Sequence, residues 1–193
     1  MKNGQHLHLK YQICVSGAAE TGHCVPNALE TAKAIGAEIA QRGAVLLTGA
    51  TTGFPYWAAI GCKEAGGYSV GISPAHNEEE HVEKYKLPLD YMDVILYTGG
   101  GMSIRDMLLT QASDAVIIGC GRIGTLHEFT VAFENNKPIG IVDGAGGTAD
   151  LIRSVLDSSN RAADNPNIVF ESSPKLLLDK LYPMMKPKKV RGI

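Results

Sequence analysis

Residues Ser113–Glu128 read SDAVIIGCGRIGTLHE: an apolar run from Ala115 to Ile118, then Gly119, Gly121 and Gly124 spaced by Cys120, Arg122 and Ile123, then a helix-like segment from Leu126. A short apolar run bounded by turn residues suits a strand buried on both faces, the strand type of a parallel sheet. Glycines placed after such a strand and before a helix let backbone N–H groups approach an anion where the helix offers its free donors. The stretch predicts a strand–loop–helix unit that holds phosphate.

The same pattern recurs along the chain. Strands are expected at Tyr11 to Val15, Val45 to Thr48, Ser69 to Ile72, Asp93 to Tyr97, Ile139 to Val142 and Ile168 to Phe170. Leu29, Ala32, Ile35 and Ile39 recur at helical spacing between Pro26 and Gly43, which act as start and stop signals. Further helices are expected at Pro55 to Ala65, Ser103 to Ala112, Leu126 to Glu134, Ala149 to Leu156 and Pro174 to Leu181. Alternation of this kind predicts an α/β fold: a Rossmann-like, doubly wound parallel sheet with helices on both faces. At 193 residues, the chain fits a single domain, with its core from about residue 11 to 182 and a basic tail at 183–193 carrying Lys186, Lys188, Lys189 and Arg191. The acidic segment Ala75 to Pro88 is expected to be a solvated loop or short helix.

Composition narrows the function. Hydrophobic residues make up 45% of the chain and charged residues 20%, enough apolar surface for a substantial core. A formal charge of −2 gives no global attraction for nucleic acid or an anionic membrane, so neither is an expected partner. No segment approaches the roughly 20 apolar residues of a membrane span, and Met1 to Val15 holds no run suited to a secretory leader. Cys14, Cys24, Cys62 and Cys120 form no C-x-x-C, and no histidine completes a zinc spacing around them. Reduced thiols in a cytoplasmic protein, and no metal, are therefore expected, with Cys120 serving as buried packing.

The remaining glycines collect where the other strands end: Ser16-Gly17-Ala18, Thr48-Gly49-Ala50-Thr51-Thr52-Gly53 and Thr98-Gly99-Gly100-Gly101. In open α/β sheets ligands bind beyond the carboxyl ends of the strands, so four such loops share one edge. The residues expected to hold a phosphate-bearing, nucleotide-like ligand are Ser16, Gly17, Gly49, Thr51, Gly53, Gly100, Gly101, Met102, Gly121, Arg122, Gly124 and Thr125. The first loop lacks G-x-G-x-x-G and no G-x-x-x-x-G-K-[ST] occurs, which argues against a dinucleotide dehydrogenase and a P-loop NTPase.

Met102-Ser103-Ile104-Arg105, then Ser113-Asp114-Ala115, then Gly121-Arg122-Ile123-Gly124-Thr125-Leu126-His127-Glu128 together resemble the "Lonely guy" family of nucleoside 5′-monophosphate phosphoribohydrolases, proteins often mislabelled lysine decarboxylases. The likeness runs from about Ile13 to Val142. It implies a Rossmann-like homodimer that hydrolyses the N-glycosidic bond of a nucleotide to free base and ribose 5-phosphate without metal or cofactor. The family's catalytic arginine falls on Arg105 and its catalytic glutamate on Glu128. Molybdenum cofactor carrier proteins are similar too, and imply the alternative of a non-catalytic binding protein. Three positions depart from the family pattern: Cys120 stands for its proline, Arg122 for its second glycine and Asp106 for the lysine after the arginine.

Plainer readings compete at several of these residues. Thr125-x-x-Glu128 and Ser103-x-x-Asp106 both have the form of a helix capping box. His127 can donate to a ligand or sit on a helix surface. Tyr56 and Trp57 can stack on a base or fill the core.

Overall fold

In the computed structural model, which describes residues 10–160 and 166–186, the expected strands all form. They are β1 Gln12–Ser16, β2 Val45–Thr48, β3 Tyr68–Ser73, β4 Val94–Tyr97, β5 Ala115–Ile118, β6 Ile139–Val142 and β7 Ile168–Glu171. All pair in parallel, in the order β4-β3-β2-β1-β5-β6-β7. The α/β, doubly wound reading of the sequence is correct. Between them run α1 Ala28–Gln41, α2 Phe54–Glu64, α3 Gly101–Ala112, α4 Ile123–Glu134, α5 Ile152–Ser158 and α6 Pro174–Leu181.

The order of the strands sets the layers. From β1 the chain steps outward through β2, β3 and β4, then returns past β1 to β5 and steps the other way through β6 and β7. Right-handed crossovers put helices for the two directions on opposite faces. Accordingly α1 packs on α2 and α6, whereas α3 packs on α4. The core lies on both faces of the central strands, where Ile13, Val15, Leu46, Val116, Ile117 and Ile118 are buried. Helices α1 and α2 touch backbone to backbone: a methyl group on Gly36 would collide with the Ala58 carbonyl, and one on Gly61 with that of Lys33.

Two expectations need correction. The helix expected from Ala149 to Leu156 begins as a tight 3-10 turn, Thr148–Leu151, following Gly147 at φ 64°, and only then becomes α5. The acidic segment 75–88 is not solvated throughout. A single π-helical turn, Glu80–Lys84, folds around a fully buried His81. Its Nδ1 lies 2.8 Å from Ser73 Oγ and its Nε2 3.0 Å from the Pro88 carbonyl, so both ring nitrogens are satisfied. Of the basic tail, Lys188, Lys189 and Arg191 lie outside the described residues.

Candidate functional site

The chain reverses its direction of travel between β1 and β5, and their carboxyl ends diverge into different loops there. A crevice at such a switch point is the usual ligand site of an open α/β sheet. Here it is a cavity of about 350 Å³. Its wall takes Ser16, Gly17, Gly49, Thr51, Met102, Arg105, Arg122, Gly124, Thr125 and Glu128 from the residues expected on sequence grounds. It also takes Ala18, Ala19, Glu20, Pro55, Asp106 and Ile123, which were not expected there.

Gly53, Gly100, Gly101 and Gly121 are not part of that wall, and other contacts account for them. Gly53 has φ +70° and faces the Ala18 and Ala19 carbonyls as it starts α2; Gly121 packs under Thr125 and bridges to Gly147. Gly100 packs on Ile104, and Gly101 turns at φ +69° into α3. Gly17 and Gly119 make room for the Phe54 ring: a Cβ on Gly17 would lie 2.7 Å from Phe54 Cβ, and one on Gly119 would overlap the ring outright. Gly49 is needed for a different reason, because a side chain there would occupy the place of the Arg105 guanidinium. The turn that presents it holds Ala50 in a left-handed conformation (φ 49°), unfavourable for a residue with a Cβ and offset by its N–H donating to Thr48 Oγ1 at 3.2 Å.

The charged groups form one connected set. Glu128, on the second turn of α4, is buried and accepts a hydrogen bond from the Ser16 hydroxyl at the end of β1. Burial pushes its carboxyl up to about 7, with the nearby Asp106 carboxylate adding to the rise and the Arg105 guanidinium and Ser16 opposing it. Asp106 is buried as well. Its Oδ1 lies 3.1 Å from Arg105 Nε, and its Oδ2 3.2 Å from His127 Nδ1, so it ties α3 to α4. Arg105 Nη2 rests 3.4 Å from Met102 Sδ. Cys14, under this set, is a free thiol held well above its ordinary pKa chiefly by burial.

Neither capping box forms. Helix α4 starts at Ile123 with Arg122 as its cap and α3 at Gly101 with Gly100, and neither cap residue bonds through its side chain. Glu128 and Asp106 lie too far into their helices to close a box, and both side chains are directed to the network instead. Tyr56 packs edge-on against Tyr91, and Trp57 packs against the core; neither lines the cavity.

At the cavity rim, Arg122 Nη1 pairs with Glu20 Oε2 at 2.8 Å, both side chains being more than half exposed. Behind that pair, Cys24 and Cys120 form a disulfide with Cα atoms 5.7 Å apart. This corrects the expectation of reduced thiols. The two cysteines are 96 positions apart in sequence, but β1 and β5 are neighbours, so the loops that follow them lie side by side. His23 Nε2 sits 3.7 Å from Cys120 Sγ and 3.2 Å from the Gly121 carbonyl.

A parallel sheet with a switch-point cavity lined by an arginine, a buried glutamate and a helix N-terminus defines a Rossmann-like domain. The chain belongs to the SLOG cluster4 family, which it matches over residues 10–177. An uncharacterized protein of Archaeoglobus fulgidus is 32% identical over 128 residues, 66% of this chain and 77% of that one. Among solved structures, the molybdenum cofactor binding protein of the phototrophic bacterium Rippkaea orientalis is similar, with a TM-score of 0.72 and 31% identity over 91% of this chain and 98% of that one. The molybdenum cofactor carrier protein of Chlamydomonas reinhardtii is similar at a TM-score of 0.68 and 25% identity, over 91% and 99%. Among the described residues no helix is long and apolar enough to cross a membrane.

Proposed function

We propose that the protein binds a nucleoside 5′-monophosphate in this cavity and hydrolyses its N-glycosidic bond. The observation that carries the reading is Glu128: a buried carboxyl with a pKa near neutrality, in the wall of the same cavity as Arg105. The phosphate sits at the N-terminus of α4, by Gly124 and Thr125, where first-turn N–H groups and the Arg122 guanidinium favour an anion. Water attacks C1′ and forms the new C–O bond. The electron pair of the C1′–N bond leaves with the base. Ionised Glu128 steadies the oxocarbenium character at the sugar and takes the proton from water, and that proton passes to the departing base. A pKa of about 7 suits a group that must both accept and release a proton at neutral pH. Arg105, ion-paired with Asp106 through a buried Nε that makes no hydrogen bond, offers a permanent positive charge to the phosphate or the departing base.

The test is a panel of purine and pyrimidine monophosphates incubated with folded protein and assayed for free base. Release that is lost in Glu128→Gln and in Arg105→Ala supports the reading. No release with any of them sinks it.

A non-catalytic carrier is the second reading. It is favoured by the Rippkaea orientalis neighbour, by Asp106 in place of a lysine, and by Arg122 standing where bare backbone would otherwise meet phosphate. It predicts that Glu128→Gln keeps full ligand affinity and that a phosphorylated pterin raises Tm more than any monophosphate does.

Self-association belongs to the same proposal. Ile104, Met107 and Leu108 on α3, with Val94 and Leu96 on the edge strand β4, are large apolar side chains left 39–52% exposed. Exposed apolar surface of this kind marks an interface, and a homodimer covers it. Sedimentation of the wild type against Ile104→Asp tests this, with a dimer turning to monomer as the expected result.

A further inference from the structure

The rim of the cavity between Ala18 and Cys24 is tied down at its two ends by different means. At Ala18 the tie is main chain: Ala18 N donates to the Cys120 carbonyl at 2.7 Å, and its own carbonyl accepts from Phe54 N at 2.9 Å. At Cys24 it is the disulfide to Cys120. Between them Ala19, Glu20, Gly22 and His23 are exposed, and Ala19 and Glu20 form part of the cavity wall. Without the disulfide this end would rest on weaker contacts: the Cys24–Gly146 bridge, a 3.4 Å bond from Val25 N to the Ala145 carbonyl and the approach of His23 to Gly121. The Glu20–Arg122 pair, being solvent-exposed, adds little.

We propose that Cys24–Cys120 is a reversible dithiol–disulfide switch that sets the shape of the ligand cavity: closed by oxidation, loosened by reduction. The chemistry is available. Cys24 is only partly covered, so the thiolate of a small dithiol can attack its Sγ; a mixed disulfide forms on Cys24 as the Cys24–Cys120 bond breaks. The Cys120 sulfur, buried and unable to be attacked directly, leaves with the electron pair. His23, 3.7 Å away, is placed to give it a proton. The second thiol of the reductant then displaces Cys24, yielding two protein thiols and an oxidised dithiol. Run backwards with a disulfide as oxidant, the same steps close the rim. Cys14 and Cys62 take no part, since both are buried and both thiols are pushed up by burial, that of Cys62 to about 11.

The ligand consequence rests on the nucleotide reading of the site, whereas the clamp itself does not, and the experiment separates them. Protein is prepared oxidised and dithiothreitol-reduced, with a chelator present so that no metal on His23, Cys24 and Cys120 replaces the bond. Thiols are counted after denaturation, expecting two when oxidised and four when reduced, from the two free cysteines and the one bridge. Amide hydrogen exchange at residues 19–24 is expected to quicken about tenfold or more on reduction and in Cys24→Ser, with Cys62→Ser behaving as wild type. Adenosine 5′-monophosphate is expected to bind roughly fivefold or more weakly to the reduced form, because the cavity wall is no longer pre-shaped. Four thiols in air-oxidised protein, unchanged exchange at 19–24, or equal monophosphate affinity in the two states would each overturn the switch. If no purine or pyrimidine monophosphate of the panel binds either state, the nucleotide reading falls, and the exchange measurement alone decides the clamp.

Discussion

Glu128 makes a quantitative claim that does not depend on any ligand. In the folded protein its carboxyl holds a proton up to about pH 7, whereas the unfolded chain releases it near 4.5. Between those values the folded state binds more protons, so stability must fall as pH rises, and the loss is complete above about 7. The rise from 4.5 to about 7 corresponds to roughly 3 kcal/mol, most of it accumulating between pH 5 and 8. Glu128→Gln keeps the shape and the acceptor for Ser16 but cannot ionise. Urea unfolding of both proteins at pH 5 and pH 8.5 isolates the contribution, since every other titrating group is common to them. The variant should gain about 2–3 kcal/mol on the wild type across that interval, with unchanged m-values. A constant difference at both pH values would refute the reasoning. It would mean that Arg105 and Ser16 hold the carboxylate ionised despite its burial.

Three further outcomes follow from the packing. Gly36→Ala places a methyl group on the Ala58 carbonyl, and should cost about 3 kcal/mol in chemical denaturation as α1 and α2 are forced apart. Gly49→Ala should displace the Arg105 guanidinium, with a stability loss of about 1–3 kcal/mol and at least a roughly tenfold loss of nucleotide affinity by calorimetry. Reducing the disulfide reopens a closed loop with ends 96 positions apart, worth about 4.7 kcal/mol in the chain-entropy model. Calorimetric scans with and without reductant should differ by roughly 10 °C in Tm.

The strands were legible because burial on both faces writes itself as unbroken apolar runs such as Ala115 to Ile118, a signal that needs no tertiary information. The edge of the sheet that carries the cavity followed from the glycines at strand ends. What each glycine does there was not legible. Gly17, Gly119 and Gly49 all read as backbone donors for phosphate, yet the space they leave is occupied by Phe54 and by Arg105, side chains far away in sequence. The capping boxes failed for a related reason. The local pattern around Glu128 and Asp106 is correct, but each helix begins at a residue other than the one the pattern marks, and the carboxylates are claimed by Ser16, Arg105 and His127. The Cys24–Cys120 bond and the Glu20–Arg122 pair exist only because β1 and β5 are neighbours. Sequence spacing carries no trace of that adjacency, whereas His81 shows the converse: a charged surface segment hiding an anchor.

Phe54 has a consequence for how such a site changes over time. Its ring packs on both Gly17 at the end of β1 and Gly119 at the end of β5, two tips already joined by Gly119 N donating to the Ser16 carbonyl at 2.9 Å, so it supports them from one side. A smaller residue at position 54 would leave a void against both glycines, and a bulkier one would push on the loops that follow them, without replacing any residue of the cavity wall. The shape of the cavity can therefore drift through a core position, independently of the charged residues in its wall.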